Sequence, residues 1–517
     1  MEEIGSLSDI EHYSNYFHDI WKDGKPLCKL FKTDTAYYLY DAGTNKILGC
    51  DELKYNLLEK LKILDIDDAI YSFMQKYYNK QFLKTAKKIK DIMEAEKILQ
   101  LKKVVQIGNS KPFENIEDKI NNHLGLVQLE LTERCNLRCE YCVYNEYVKG
   151  KRNHGNRDMS RAIAFAAIDY LKKHSSKKDE VAVTFYGGEP LLRFPLIQSC
   201  VNYAHKVFGD KKVRFSLTTN ATLLTSEIAK FLFAEKNFSV VVSLDGPAEI
   251  HDSYRKDYAG NGSFKQTLKG LKYLYDTFGD SFKHRISFSA VYAPPYSEKK
   301  LNSILKFREK NTWIKYNSVN FTYPSPGSIP MSNFPKNKPL ENKPLLQWAQ
   351  EKYWQSYIGK TDILPIVKDV IERSLALIFR RLNFQEPVHE FNLNGCCRPG
   401  VRKLFASVDG AFHICEQVSG APGVGNVFSG INIDTIKRNY LEEYAEKSLP
   451  YCSNCWAIRR CNVCYNSCFT DGKIDMDKKL DKCRNIRPVL LEHMKYFCRL
   501  LEYNSEGLNY LAKFTLE

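Results

Sequence analysis

Cys135, Cys139 and Cys142 stand in the segment Leu129-Glu130-Leu131-Thr132-Glu133-Arg134-Cys135-Asn136-Leu137-Arg138-Cys139-Glu140-Tyr141-Cys142, a C-x3-C-x2-C spacing on one short stretch. Thiolates this close in sequence can each take one corner of an iron–sulfur cubane. Three ligands serve three irons and leave the fourth open to a substrate, which is what a catalytic cluster needs. A structural site closes its shell, as zinc does with four ligands. The alternatives are three incidental cysteines or three quarters of a zinc site. The position of the loop, just after a strand, argues against both.

The chain has 517 residues and 16 cysteines, unevenly spread. Nine fall between 396 and 483, while Cys28, Cys50, Cys200 and Cys498 stand alone. The acidic start Met-Glu-Glu-Ile-Gly-Ser-Leu-Ser-Asp has no apolar signal core. No stretch approaches the roughly 18 unbroken apolar residues of a membrane helix. A soluble cytoplasmic protein is expected. Disulfides are disfavoured in that compartment, so clustered cysteines point to metal or catalysis. The four isolated ones read as small buried apolar residues. The formal charge of +15 reads as a lysine-rich solvated surface or as a match for an anionic partner. No dense arginine patch with interleaved aromatics argues for nucleic acid.

Periodicity shows the elements that must position these cysteines. Residues 27–31, 36–40 and 46–50 alternate like strands, and 51–64, 67–78 and 85–100 read as helices. Small strands followed by about three helices predict a winged-helix-like module over 1–110, with 111–125 a linker. From 126 to 330, strands at 126–131, 181–186, 213–218, 239–244, 285–291 and 318–322 alternate with helices at 160–173, 193–207, 225–234 and 263–278. Such alternation makes a parallel α/β domain. Six strands suit a partial (β/α)6 barrel better than a closed eight-stranded one. Residues 331–390 read as a loop and bridging helices, with a helix pair over 347–382 and a surface loop over 324–342. The cysteine-rich tail spans 391–517 and ends in a helix at 487–503.

Ligands of α/β domains bind at the C-terminal ends of strands, and the other candidate residues fall there. Gly187-Gly188-Glu189 follows the second strand; paired glycines let a backbone approach a ligand closely. Asn220 follows the third, and Ser243 with Asp245 the fourth. Arg255 comes shortly after, beside His251, which reads as a structural hydrogen-bonder. Together with the cysteine loop and Tyr141 between its last two cysteines, this pattern resembles the radical SAM superfamily. The resemblance implies a [4Fe-4S] cluster whose open iron is chelated by S-adenosylmethionine (SAM). One electron then breaks a C–S bond to give a 5′-deoxyadenosyl radical, which abstracts hydrogen from a substrate. It also implies cofactor contacts at Tyr141, Gly187, Gly188, Glu189, Asn220, Ser243, Asp245 and Arg255, with Glu189 at the SAM amine and Arg255 at its carboxylate.

In the tail, Cys397 is followed by twelve residues, Gly410, four residues and Cys415; then come Cys452, Cys455, Cys461, Cys464, Cys468 and Cys483. This resembles the SPASM extension of radical SAM enzymes, which carries two further [4Fe-4S] clusters and would bring the total to three. The chain departs from that pattern where Tyr465 stands in place of a cysteine. The resemblance implies an outer cluster on Cys452, Cys455, Cys461 and Cys483, and an inner one begun by Cys397 and Cys415. Cys464 and Cys468 complete the inner cluster, with Cys396 spare, or one stays free and an iron stays open to a substrate thiolate. A structural zinc site is the alternative for these spacings.

The first 110 residues resemble the RiPP recognition element, which binds leader peptides of ribosomally made natural products, usually as an added strand. Residues 31–41 and 45–48 are similar to the start of thioether-forming peptide maturases, as are Cys415-Glu416-Gln417, Gly425-Asn426 and Cys455-Trp456-Ala457-Ile458-Arg459. The resemblance implies a sactipeptide- or ranthipeptide-type maturase that bonds cysteine sulfur to carbon in a precursor bound through its leader. An electron donor such as flavodoxin or ferredoxin is expected. The alternatives are an anaerobic sulfatase maturase, which oxidises Cys or Ser to formylglycine, and a zinc-bearing DNA-binding regulator.

Overall fold

A computed structural model describes residues 7–108, 114–145, 148, 152–325, 327–329, 343–392, 397–417 and 420–514. Cys396 and most of the 324–342 loop lie outside the described residues.

The chain opens with helix α1 (Leu7–Trp21), which the sequence reading did not anticipate. Its polar face is extensive, and Phe17 and Trp21 supply its buried contacts. Strands β1 (Cys28–Lys32), β2 (Tyr37–Asp41) and β3 (Ile47–Cys50) pair antiparallel in that order. Helices α2 (Glu52–Ile63) and α3 (Ile66–Glu96) follow, each started by an aspartate, Asp51 or Asp65, that accepts from a first-turn N–H. The two expected helices over 67–100 form one element bent at Tyr78, whose φ of 63° is left-handed. Leu39, Leu57, Phe73, Phe82 and Met93 fill the core between sheet and helices. Cys28 joins that core, whereas Cys50 is only partly buried, a departure from the expected small core residue.

Strand β4 (Gln106–Ile107) leads into the expected linker, which folds in part as a helix, Ile116–Asn122, with Ile116 and Ile120 in the main core. Strands β5 (Leu126–Glu130), β6 (Glu180–Tyr186), β7 (Lys212–Thr219), β8 (Phe238–Ser243), β9 (Ile286–Val291) and β10 (Val319–Thr322) are all parallel and neighbour one another in chain order. This is the expected partial barrel. Side chains alternate along each strand. Val183, Phe185, Phe215, Leu217, Val240 and Val242 pack under the outer helices. Thr218, Ser243, Ser287, Ser289, Asn320 and Thr322 face the lumen, which is lined with hydroxyls and amides. The edge strand β10 is covered by the Asp369 carboxylate, which accepts from Val319 N (2.9 Å) and Ser318 Oγ (2.8 Å).

The sheet does not end with these six strands. After β11 (Glu390–Phe391), which pairs with β4, strand β12 (Lys403–Ala406) lies parallel to β5, with Leu126 opposite Lys403 and Leu129 opposite Ala406. Strands β13 (Ala411–His413), β14 (Gly425–Asn426) and β15 (Gly430–Ile431) continue it antiparallel, giving ten strands in all. The final helix, Met476–Tyr503, begins earlier than expected and carries Cys483 within it.

The N-terminal unit is fastened to the tail. Arg459 donates to the carbonyls of Ala42 and Gly43 (3.0 Å each), and its guanidinium lies over the rings of Phe384 and Phe391 (4.4 and 4.5 Å). Glu502 of the final helix accepts from Tyr38 (2.7 Å) and Thr33 (2.8 Å) beside β1. No helix among the described residues is long and apolar enough to cross a membrane.

Candidate active site

The cysteine loop leaves the top of β5 and forms one wall of a cavity of about 570 Å³ that opens on the lumen. Cys135, Cys139 and Cys142 all line it, with Tyr141, Gly187, Gly188, Glu189, Asn220, Ser243 and Arg255. Asp245 alone among the expected contacts does not line the cavity; it sits behind it.

Gly187 and Gly188 bring two loops into contact. Gly188 N donates to the Thr132 carbonyl (2.8 Å) and Glu189 N to the Arg134 carbonyl (2.9 Å). A Cβ on Gly188 would lie 2.0 Å from the Arg134 oxygen, and one on Gly187 2.4 Å from the Thr132 oxygen. Gly188→Ala is therefore expected to push the cysteine loop outward. Thermal unfolding should show a loss of roughly 1–3 kcal/mol or more, and SAM binding should weaken with it. An unchanged midpoint and unchanged SAM affinity would mean the loops do not need this contact.

Glu189 points inward rather than outward. It is 1% exposed and accepts from Leu191 N (3.0 Å), Thr219 Oγ1 (2.7 Å) and Asn220 N (2.8 Å). Burial pushes its carboxyl up to about 7 while these donors pull the other way. Its first role is to brace the ends of β6 and β7. Asn220 continues the brace: its amide donates to Asn136 Oδ1 (2.9 Å), beside Cys135, and Asn136 in turn donates to Thr222 (2.8 Å). The cysteine loop is thereby tied to the ends of β6 and β7.

Arg255 is also engaged. Its guanidinium pairs with Asp245 (3.1 and 3.3 Å), which accepts from Tyr141 Oη and from Val291 N (3.0 Å) as well. Burial alone would disfavour the charge of Arg255, but Asp245 more than offsets it and holds the guanidinium protonated. Tyr141 stacks on Tyr254 (5.5 Å between centroids). The aromatic position between the cysteines is thus locked onto the end of β8 by a buried carboxylate. His251 is fully buried, 3.1 Å from Ser263 Oγ, and burial holds it neutral, down to about 3.

Other cavity residues were not among the expected cofactor contacts, although Glu416 and Gln417 belong to a stretch singled out in the sequence. His154 lines the cavity with no hydrogen-bond partner for either ring nitrogen among the described residues, and burial keeps it neutral, down to about 4. Tyr186, Asn320 and Thr322 enter from strand ends. The period-two alternation of β10 could have found the last two, since both share one face. Glu416 and Gln417 reach the cavity from the tail, directly after Cys415.

These features fit a cubane with SAM. Burial pushes the thiols of Cys135 and Cys139 up to about 12, so metal must displace their protons. Leu137 N points at Cys135 Sγ (3.4 Å). The chamber is of the size that takes a small-molecule ligand.

The tail cysteines fall into two groups. Cys452, Cys455, Cys461 and Cys483 line one small apolar cavity. Cys415 accepts from Asn466 Nδ2 (3.3 Å), and charge on Cys464 acts on it, as charge on Cys397 acts on Cys464. Cys468 is fully buried, lines neither cavity, and donates to the Cys464 carbonyl (3.4 Å). Tyr465 donates to the Cys397 carbonyl, which explains what an aromatic does there: it pins the Cys397 segment. Among the described residues no three cysteine sulfurs lie within 4.8 Å of one another.

A partial parallel barrel whose first strand delivers three cysteines to a polar lumen is the architecture of radical SAM enzymes. Residues 129–307 match the model of the Radical SAM superfamily, and the chain carries a radical SAM domain there. The antilisterial bacteriocin subtilosin biosynthesis protein AlbA of Bacillus subtilis is 32% identical over 187 residues, 35% of this chain and 37% of its own length. The cysteine-type anaerobic sulfatase-maturating enzyme of Clostridium novyi is 24% identical over 401 residues, 75% of this chain and 97% of its own. Two further curated relatives, 38% and 34% identical, are spanned over only 47% and 36% of their lengths. A solved structure of anSMEcpe with bound AdoMet shares the fold, with a TM-score of 0.55, 19% identity, and coverage of 76% of this chain and 96% of that one.

Proposed function

We propose that the protein is a radical SAM peptide maturase that joins cysteine sulfur to carbon in a ribosomally made, cysteine-rich precursor. The observation that carries this reading is the joint cavity. Glu416 and Gln417, directly after Cys415, line the same cavity as Cys135, Cys139 and Cys142, so a peptide bound there would meet both the radical source and the tail. Relatives support it in kind, since one serves bacteriocin biosynthesis and others mature sulfatases.

In this reading Cys135, Cys139 and Cys142 would hold a [4Fe-4S] cluster with SAM on its open iron. When bound, that group supplies the electron that breaks a C–S bond of SAM and so the radical that takes hydrogen from a peptide carbon. The chain's own residues prepare the chamber. Tyr141, Asp245 and Arg255 fix the loop, Glu189 and Asn220 brace the strand ends, Gly187 and Gly188 let the cysteine loop close onto β6, and Ser243 lines the chamber. Cys452, Cys455, Cys461 and Cys483 would hold an outer cluster. Cys397, Cys415 and Cys464 would hold an inner one, completed by Cys468 if its thiol turns from the Cys464 carbonyl, or left open to a substrate thiolate.

The N-terminal unit would take the leader. Among the described residues β3 has no strand on its outer edge. Beside it lies a small apolar pocket of about 30 Å³ lined by Leu48, Leu58, Ile89, Ile92 and Met93. An extended peptide can add there as a fourth strand, its main chain on β3 and an apolar side chain toward the pocket. Flavodoxin or ferredoxin would supply electrons.

Co-expression with the precursor encoded nearby tests the reading by mass spectrometry. Each crosslink should remove two hydrogens, one taken by the deoxyadenosyl radical and one leaving as a proton with an electron, and should consume one free thiol. Deleting residues 1–110 should reduce turnover of the leader-bearing precursor at least tenfold while leaving SAM cleavage intact. The near full-length match to a sulfatase maturase favours a second reading, formylglycine formation. It predicts an aldehyde that a hydrazide captures and no effect of that deletion.

A further inference from the structure

Lys479 is the most deeply buried lysine among the described residues, at 3% exposure. It lies on the final helix four residues before Cys483, and residues so spaced share one helix face. Its ammonium donates to Cys452 Sγ at 3.1 Å and sits 5.1 Å from the ring of Tyr444. It acts electrostatically on Cys468 and Cys483 too. Its hydrogen-bond partner among the described residues is thus a sulfur, not a carboxylate.

A buried ammonium is costly unless an anion faces it. Neutral thiols offer no such anion, whereas thiolates on iron do. The arrangement makes sense only when the cavity formed by Cys452, Cys455, Cys461 and Cys483 is negatively charged. A fixed positive charge at hydrogen-bond distance from a ligand sulfur stabilises the more negative, reduced form of an iron–sulfur group. Net charge and hydrogen bonds to the sulfurs are among the levers that set its potential.

We propose that Lys479 is a positioning residue that raises the reduction potential of the outer iron–sulfur site through its ammonium on Cys452, biasing that site toward accepting an electron. This rests on the reading that the outer four cysteines hold a cluster. The neighbouring Lys478 does not share the role, because its amine turns to the Phe469 carbonyl (3.0 Å).

The test uses the full chain, reconstituted without oxygen, with Cys135, Cys139 and Cys142 replaced by alanine so that only the tail is read. Potentiometric titration followed by electron paramagnetic resonance gives the potentials. Lys479→Met should lower one of them by at least 59 mV, a tenfold shift against reduction for one electron. Lys479→Arg should restore most of it. Arg484→Gln removes an equal charge from an exposed site of the same helix and should change nothing. Lys479→Gln keeps a donor without the charge and serves if the methionine variant loses iron. It should also show the fall. A potential unchanged in both neutral variants, or lowered as far by Arg484→Gln, overturns the proposal. If replacing Cys452 and Cys483 by alanine removes no iron, the outer-cluster reading fails, and the proposal with it.

Discussion

Replacing Cys135, Cys139 and Cys142 together with alanine is expected to leave a folded protein that has lost about one cubane of iron and no longer cleaves SAM. The loss should exceed roughly a thousandfold, or about 4 kcal/mol in barrier, because no other described residue lining the cavity offers a thiolate. Folding should survive, since the three thiols line a chamber rather than fill a packed core. The informative contrast is with the tail. Alanine at Cys452 and Cys455 should leave SAM cleavage within a few-fold of normal while abolishing precursor crosslinking. Production of 5′-deoxyadenosine and precursor mass are separate readouts of the two events. If the tail variant loses SAM cleavage as fully as the barrel variant, the division of labour between the sites is wrong.

The second large effect is expected at Asp245, which does not line the cavity. Asp245→Ala strips the partner from a buried guanidinium, an acceptor from Tyr141 and another from Val291 N. Breaking a buried pair from one side costs roughly 3–5 kcal/mol. The double variant Asp245→Ala with Arg255→Met should recover much of that, because no stranded charge remains. Denaturant unfolding of the four corners of this cycle measures the coupling. Simple additivity would mean that Arg255 and Asp245 do not act as a unit. SAM binding adds a second axis. If Arg255 holds the SAM carboxylate directly, affinity falls in both single variants, but if it only orients Tyr141, Arg255→Lys should retain most of the affinity.

What the sequence disclosed was mainly local or periodic. The cysteine loop is a matter of spacing within eight residues, and alternation at 181–186 or 239–244 forces one face of a strand outward under helices. Both depend on neighbours in the chain, so both were legible. The partial barrel followed from the same alternation. Helix α1 was missed although Ile10, Tyr13, Phe17, Ile20 and Trp21 recur at helical spacing and pack on the N-terminal core. The bend at Tyr78 falls where the sequence ends one helix, but the six residues expected to separate it from the next are helical too. The inward turn of Glu189 depends on Thr219 and Asn220, thirty residues on, and no pattern announces it. The same holds for Arg255: its pairing with Asp245 is set by where β8 and the cysteine loop meet in space. The departure at Tyr465 was visible, but its meaning needed the Cys397 carbonyl beside it.

The parallel pairing of β12 with β5 has a consequence for how the molecule comes into being. Leu126 and its ladder partner Lys403 are about 280 residues apart. Closing so long a loop makes pairing late and slow. During synthesis at about 5–20 residues per second, the strand that carries the cysteine loop waits roughly 14–55 s with one edge bare before its neighbour leaves the ribosome. An unpaired edge invites association with other chains. The barrel is therefore not a finished unit to which a tail is later added; it is completed by the tail. Truncations after residue 330 are expected to accumulate as insoluble material, and iron loading should follow release of the whole chain rather than proceed during its growth.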